Sequence, residues 1–99
     1  MANSSDKKVV RKTTIVIPCR LGVHARCAAH IIPFMKQFKS EIRVRKGSLA
    51  VDGKSMLGLM SLGAAYKTRL DFEIVGVDAE LAQKAIEAFF HESNYCADH

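Results

Sequence analysis

The sequence predicts an α+β open-faced sandwich, a four-stranded, mainly antiparallel sheet covered on one face by three helices. Three observations predict it. The candidate strands alternate apolar and polar residues, which suits an antiparallel sheet with one solvated face. The candidate helices each carry one apolar side. The elements run strand, helix, strand, strand, helix, strand, helix, an order without the regular βαβ alternation of a parallel sheet.

With 99 residues the chain suffices for one domain and one core. Apolar residues make up 48% and charged residues 25%, so the chain can bury a core and stay in water. No apolar run approaches the roughly 20 residues of a membrane span, so no membrane insertion is expected. The opening residues lack the apolar stretch of a signal peptide, and a cytoplasmic protein is expected. The cysteines are Cys19, Cys27 and Cys96, an odd number that fits reduced thiols in that setting. Cys19, His24 and Cys27 lie close together, but a zinc site wants four ligands in paired spacing. No metal and no cofactor is expected.

The formal net charge is +5, from 15 Lys and Arg against 10 Asp and Glu. Part of the excess sits in Lys7, Lys8, Arg11 and Lys12, and part in Arg43, Arg45 and Lys46. It reads as a solvated tail and a strand's outer face, or as attraction toward an acidic partner. No aromatic stacking pattern accompanies it, so no nucleic-acid partner is expected.

Residues 1–12 read as a flexible basic tail. Thr13 to Ile17 is β-branched and apolar, a short strand that Pro18 closes. Ala28, Ile31, Ile32, Met35 and Phe38 recur at helical spacing, giving a helix over Ala25 to Phe38. Pro33 falls inside it at a cost of about 3 kcal/mol in a regular interior, and a kink is expected there. Ser40 to Arg45 alternates as a half-buried strand; Lys46-Gly47 turns it into a shorter strand over Gly47 to Val51. Ser55 reads as the N-cap of a short helix that ends near Gly63 and is weakened by Gly58. Met56, Leu57, Leu59, Met60 and Leu62 exceed one inward stripe. Either all pack inward, or part of them makes an adaptable docking patch. Leu70 to Val77 alternates as the fourth strand, and Asp78 caps a last helix that buries Leu81, Ala82, Ala85, Ile86 and Phe89. Residues 91–99 carry no periodicity and read as a second tail.

The chemistry-bearing stretch is Gly22-Val23-His24-Ala25-Arg26-Cys27-Ala28-Ala29. His24 falls at the seam between a strand and a helix N-terminus. There the first backbone N–H groups lack intrahelical partners and the dipole's positive end favours an anion, phosphate above all. Ala25, Arg26 and Cys27 supply those amides. A histidine so placed can hold a phosphoryl group on a ring nitrogen, and Arg26 can brace its oxygens with paired hydrogen bonds. Taken alone, a loop histidine more often serves local hydrogen bonding.

Two stretches change that balance. Residues Gly22 to Ala29 resemble the active-site signature of HPr, the histidine-containing phosphocarrier family of the sugar phosphotransferase system. Gly53-Lys54-Ser55-Met56-Leu57-Gly58-Leu59-Met60-Ser61-Leu62-Gly63 resembles its second signature, around the regulatory serine. Two motifs in order are far more specific than either alone. The likeness spans residues 13–90, so an HPr-like domain is expected there. It implies that His24 accepts a phosphoryl group from enzyme I and passes it to enzyme IIA, with Arg26 steadying it. It implies that Ser55 is the target of a serine kinase, and that Met56, Leu57 and Met60 belong to the docking surface for both partners. Such a chain is a stoichiometric carrier rather than a stand-alone turnover enzyme. An alternative is a regulatory phosphoprotein, like the nitrogen-branch relatives, that acts by partner binding rather than in sugar uptake. Cys27 and Pro33 depart from the family pattern. Cys27 stands where the family commonly has proline.

Overall fold

A computed structural model of the chain describes residues 9–18, 20 and 22–91. The expectations for residues 1–8, for Cys19 and for residues 92–99, Cys96 included, lie outside them. Within them the elements follow in the expected order. They are β1 (Val9–Val16), α1 (Ala25–Met35), β2 (Glu41–Lys46), β3 (Leu49–Asp52), α2 (Met56–Ser61), β4 (Arg69–Gly76) and α3 (Ala79–His91). The strands form one sheet in the order β1-β4-β2-β3, every pair antiparallel. The first and last elements of the chain thus lie together, with α3 against β1 and β4.

Alternation in the strands sets the two faces. Ile42 and Val44 of β2 and Leu70, Phe72 and Ile74 of β4 are buried on the helix side, where Ile31, Met35 and Ile86 meet them. The other face is charged. Register sets Arg43 and Lys12 opposite Glu73, and Arg45 opposite Asp71. Opposite charges side by side support the pairing. They also balance Arg43 and Arg45, so this face is no single-sign surface for a polyanion. β2 and β3 form the expected hairpin, with Lys46 opposite Leu49 and Gly47 at φ +62° in the two-residue turn.

Several boundaries and contacts differ from expectation. β1 starts at Val9 rather than Thr13, because β4 is long enough to pair with it as far as Gly76. Arg11 and Thr13 point toward α3, where Arg11 lies 3.5 Å from Glu80 and Thr13 donates to Glu87 at 2.7 Å. A charged inward residue hides the alternation, so Val9 to Lys12 resemble a tail in the sequence. α1 ends at Met35, short of Phe38, and runs through Pro33 as one helix. Pro33 is exposed in the last turn, where few intrahelical bonds remain to lose. On α3, Ala79, Ala82, Ile86 and Phe90 are the buried set, while Leu81 is 63% exposed. The true stripe runs at i, i+3, i+7 and i+11, and Leu81 lies beside it.

Candidate functional site

β1 delivers the chain to Ile17, which is fully buried and bonded on both sides to the α2–β4 connection. Its N–H donates to Thr68 and its carbonyl accepts from Lys67, both at 2.9 Å. Two residues before α1 the chain docks again. Val23 N–H donates to the Ala64 carbonyl at 2.8 Å. Gly22 has φ +76°, and a Cβ there would sit 2.6 Å from the same Ala64 oxygen. Only glycine combines that φ with that approach. The loop bearing His24 is thereby clipped to the segment that follows α2, which joins the two sequence motifs in space.

His24 is the N-cap of α1, in extended conformation, and its carbonyl accepts the first intrahelical bond from Ala28 at 2.9 Å. The N–H groups of Ala25, Arg26 and Cys27 come before that bond. Arg26 N–H donates to His24 Nδ1 at 3.2 Å. Nδ1 is therefore the bare nitrogen, its lone pair turned toward the helix start. Cys27 is fully buried, and its Sγ lies 3.6 Å from His24 Nε2 and 3.7 Å from the Gly22 carbonyl oxygen. The ring itself is half-buried, so it keeps an accessible edge. Arg26 is exposed; among the described residues its guanidinium contacts neither the ring nor an acidic group. The contact between Arg26 and His24 is made by backbone.

Ser55 caps α2 as expected, its Oγ accepting from Gly58 N–H at 3.0 Å. Leu59 and Leu62 pack inward, whereas Met56, Leu57 and Met60 are 40%, 84% and 40% exposed. The apolar surplus of α2 therefore divides between core and surface. Gly58 is a packing position, since a Cβ there would lie 3.1 Å from Val51 Cβ on β3. Lys46 Nζ donates to the carbonyls of Leu62 and Gly63 at 3.0 and 3.2 Å, closing the C-terminal end of α2.

The match to known proteins accounts for both motifs. Residues 11–92 fit the family model described as the PTS HPr component phosphorylation site. The chain belongs to the HPr family. A phosphocarrier protein HPr of Neisseria meningitidis is 41% identical over 75 residues, which span 76% of this chain and 84% of that protein. One from Treponema pallidum is 35% identical over 77 residues, 78% of this chain and 88% of its own. Among solved structures, HPr-C-His from Thermoanaerobacter tengcongensis superposes with a TM-score of 0.80 at 31% identity, covering 90% of this chain and 98% of that one. This member of the family is a phosphoryl carrier of the phosphotransferase system, and the regulatory alternative is not favoured. Its fold is the family's open-faced sandwich. Among the described residues no helix is long and apolar enough to cross a membrane.

Sequence reasoning places His24 and Ser55 at helix starts, where the structure has them. It misses the clip of Gly22 and Val23 onto Ala64, a contact between segments about forty residues apart with no local signature. It also misses the thiol contact to the ring, although Cys27 stands three residues beyond His24, the spacing that lets side chains meet on a helix.

Proposed function

We propose that His24 is the residue of this chain that carries the phosphoryl group, taken from phosphorylated enzyme I and given to enzyme IIA. The observation that carries the reading is the single N–H of Arg26 on Nδ1 at the start of α1. It marks Nδ1 as the unprotonated nitrogen, among helix-terminal amides at a partly exposed ring. In the forward step the Arg26 N–H lets go of Nδ1, whose lone pair forms the N–P bond, and is free to donate to a phosphoryl oxygen. The bond from phosphorus to the donor's imidazole nitrogen breaks, and its electron pair stays with the donor ring. His24 Nε2 keeps its proton throughout. The transferring group carries negative charge spread over its oxygens, so positioning and positive partial charges do the catalysis. The N–H groups of Ala25, Arg26 and Cys27 and the Arg26 guanidinium are the groups assigned to it.

Two further roles belong to this reading. Met56, Leu57 and Met60 form the docking surface for enzyme I and enzyme IIA, which their exposure on α2 supports. Ser55 is the residue a serine kinase modifies, supported by its half-exposed place at a helix start. The reading places its action in the cytoplasm, with no cofactor of its own.

Incubation with enzyme I and phosphoenolpyruvate tests it. The wild-type chain is expected to gain one acid-labile phosphoryl group and His24→Ala none. Undiminished labelling of H24A sinks the assignment.

A further inference from the structure

The imidazole of His24 is held at both ends, and only one hold comes from the backbone. At Nδ1 the Arg26 N–H donates. A neutral ring then carries its proton on Nε2. The group facing Nε2 is the Cys27 Sγ at 3.6 Å, and the same sulfur lies 3.7 Å from the Gly22 carbonyl oxygen, which can only accept. These contacts fit one chain: His24 Nε2–H donates to Sγ, and Sγ–H donates to the Gly22 carbonyl. Gly22 is itself locked by its φ of +76° and its approach to Ala64. The thiol thus ties the ring to the glycine that packs on Ala64.

We propose that Cys27 is a positioning residue for phosphoryl transfer, fixing the orientation and the Nε2–H tautomer of His24 through its thiol. The proposal rests on the assignment of His24 as the carrier residue and adds a role for a side chain that packing alone would leave interchangeable with any small apolar group. It follows the chemistry of the step. Attack by Nδ1 leaves positive charge on the ring, and that charge is shared with Nε2–H. A polarisable sulfur accepting that N–H stabilises the charged ring without removing its proton, and it holds the ring at one angle before and after transfer. Proline, which the family pattern commonly has here, supplies no such acceptor.

Cys27→Val and Cys27→Ala separate positioning from packing. Valine fills the space of the thiol and accepts no hydrogen bond; alanine leaves a void. In nitrogen-15 NMR at alkaline pH, wild-type His24 is expected as the Nε2–H form with a proton slow enough in exchange to be seen. In both variants that signal is expected to vanish into water exchange. The rate of phosphoryl acceptance from enzyme I is expected to fall about 3- to 10-fold in both, the range one net hydrogen bond supplies. A C27V protein that keeps the wild-type rate or the protected signal overturns the proposal, as does a wild-type ring protonated on Nδ1. The NMR arm needs no phosphate. A wild-type chain that fails to accept phosphate therefore refutes the carrier assignment, while the ring signal still decides the role of the thiol.

Discussion

Gly22 shows how much a single residue can decide at this site. Its φ of +76° is open to glycine at little cost, and the Ala64 oxygen occupies the space of a Cβ at 2.6 Å. Gly22→Ala must therefore move the loop or the segment beneath it. A stability loss of about 1–3 kcal/mol is expected in chemical denaturation. The phosphoryl acceptance rate should fall with it, because His24 follows Gly22 by two residues; a G22A protein with wild-type stability refutes the clip. The place of His24 at a helix start is legible in the sequence, since the seam between the strand pattern and the helical spacing falls on it. The clip is not, because its partner is a backbone oxygen that any residue would bring. Asp78 is half legible. It takes the N-cap position, its carbonyl accepting from Ala82 N–H at 2.8 Å, yet its carboxylate turns away from its own helix.

Among the elements, α2 carries the two demands that conflict. Gly58 lowers its helix propensity by about 1 kcal/mol relative to alanine, and the close approach to β3 explains why it is there. Leu59 and Leu62 hold the helix to the core while Leu57 stands 84% exposed. Exposed leucine contributes little to folding, so Leu57→Ser should leave the melting temperature nearly unchanged. If α2 docks partners, the same change should weaken enzyme I binding by up to about tenfold, the effect of 1.4 kcal/mol. Ser55→Asp, which keeps a good N-cap and adds charge beside Leu57, should act in the same direction. Isothermal titration with enzyme I measures both. Unaltered affinity in L57S removes α2 from the docking surface. Labelling with ATP and an extract of the source organism should give phosphoserine at residue 55; an unmodified Ser55 leaves it a cap alone. Periodicity could count the apolar surplus of α2 but could not divide it, because a two-turn helix offers too few positions to fix which face is inward.

At the scale of the whole molecule, folding and transfer are secured at opposite ends of the sheet. β4 begins at Arg69, beside the connection that holds the His24 loop, and ends at Gly76. Beyond that far end, Asp78 accepts from the N–H of Lys39 at 2.8 Å and of Ser40 at 2.9 Å, and from the Ser40 hydroxyl. Ser40 is buried under Gly76, where a Cβ would collide with it at 2.5 Å. This knot ties the end of the α1 segment to the start of α3. Burial pushes the Asp78 carboxyl up, but the Ser40 hydroxyl and the N–H groups of Lys39 and Ser40 outweigh it and hold the group below its ordinary value of 3.8. The unfolded chain thus binds the proton more readily. The knot's ionic share of stability is present above the unfolded value and is lost as pH falls through the lower, folded one. Asp78→Asn keeps the shape but replaces one acceptor with a donor, and should cost about 1–3 kcal/mol at pH 7. The gap between wild type and variant should narrow as denaturation curves are repeated from pH 7 toward pH 3. Phosphoryl acceptance at pH 7 should stay at the wild-type rate, since eight residues of strand separate the knot from the His24 loop. A D78N protein that transfers slowly while folding normally would mean that the two ends of the sheet are coupled, and that the division between holding the fold and presenting the imidazole is wrong.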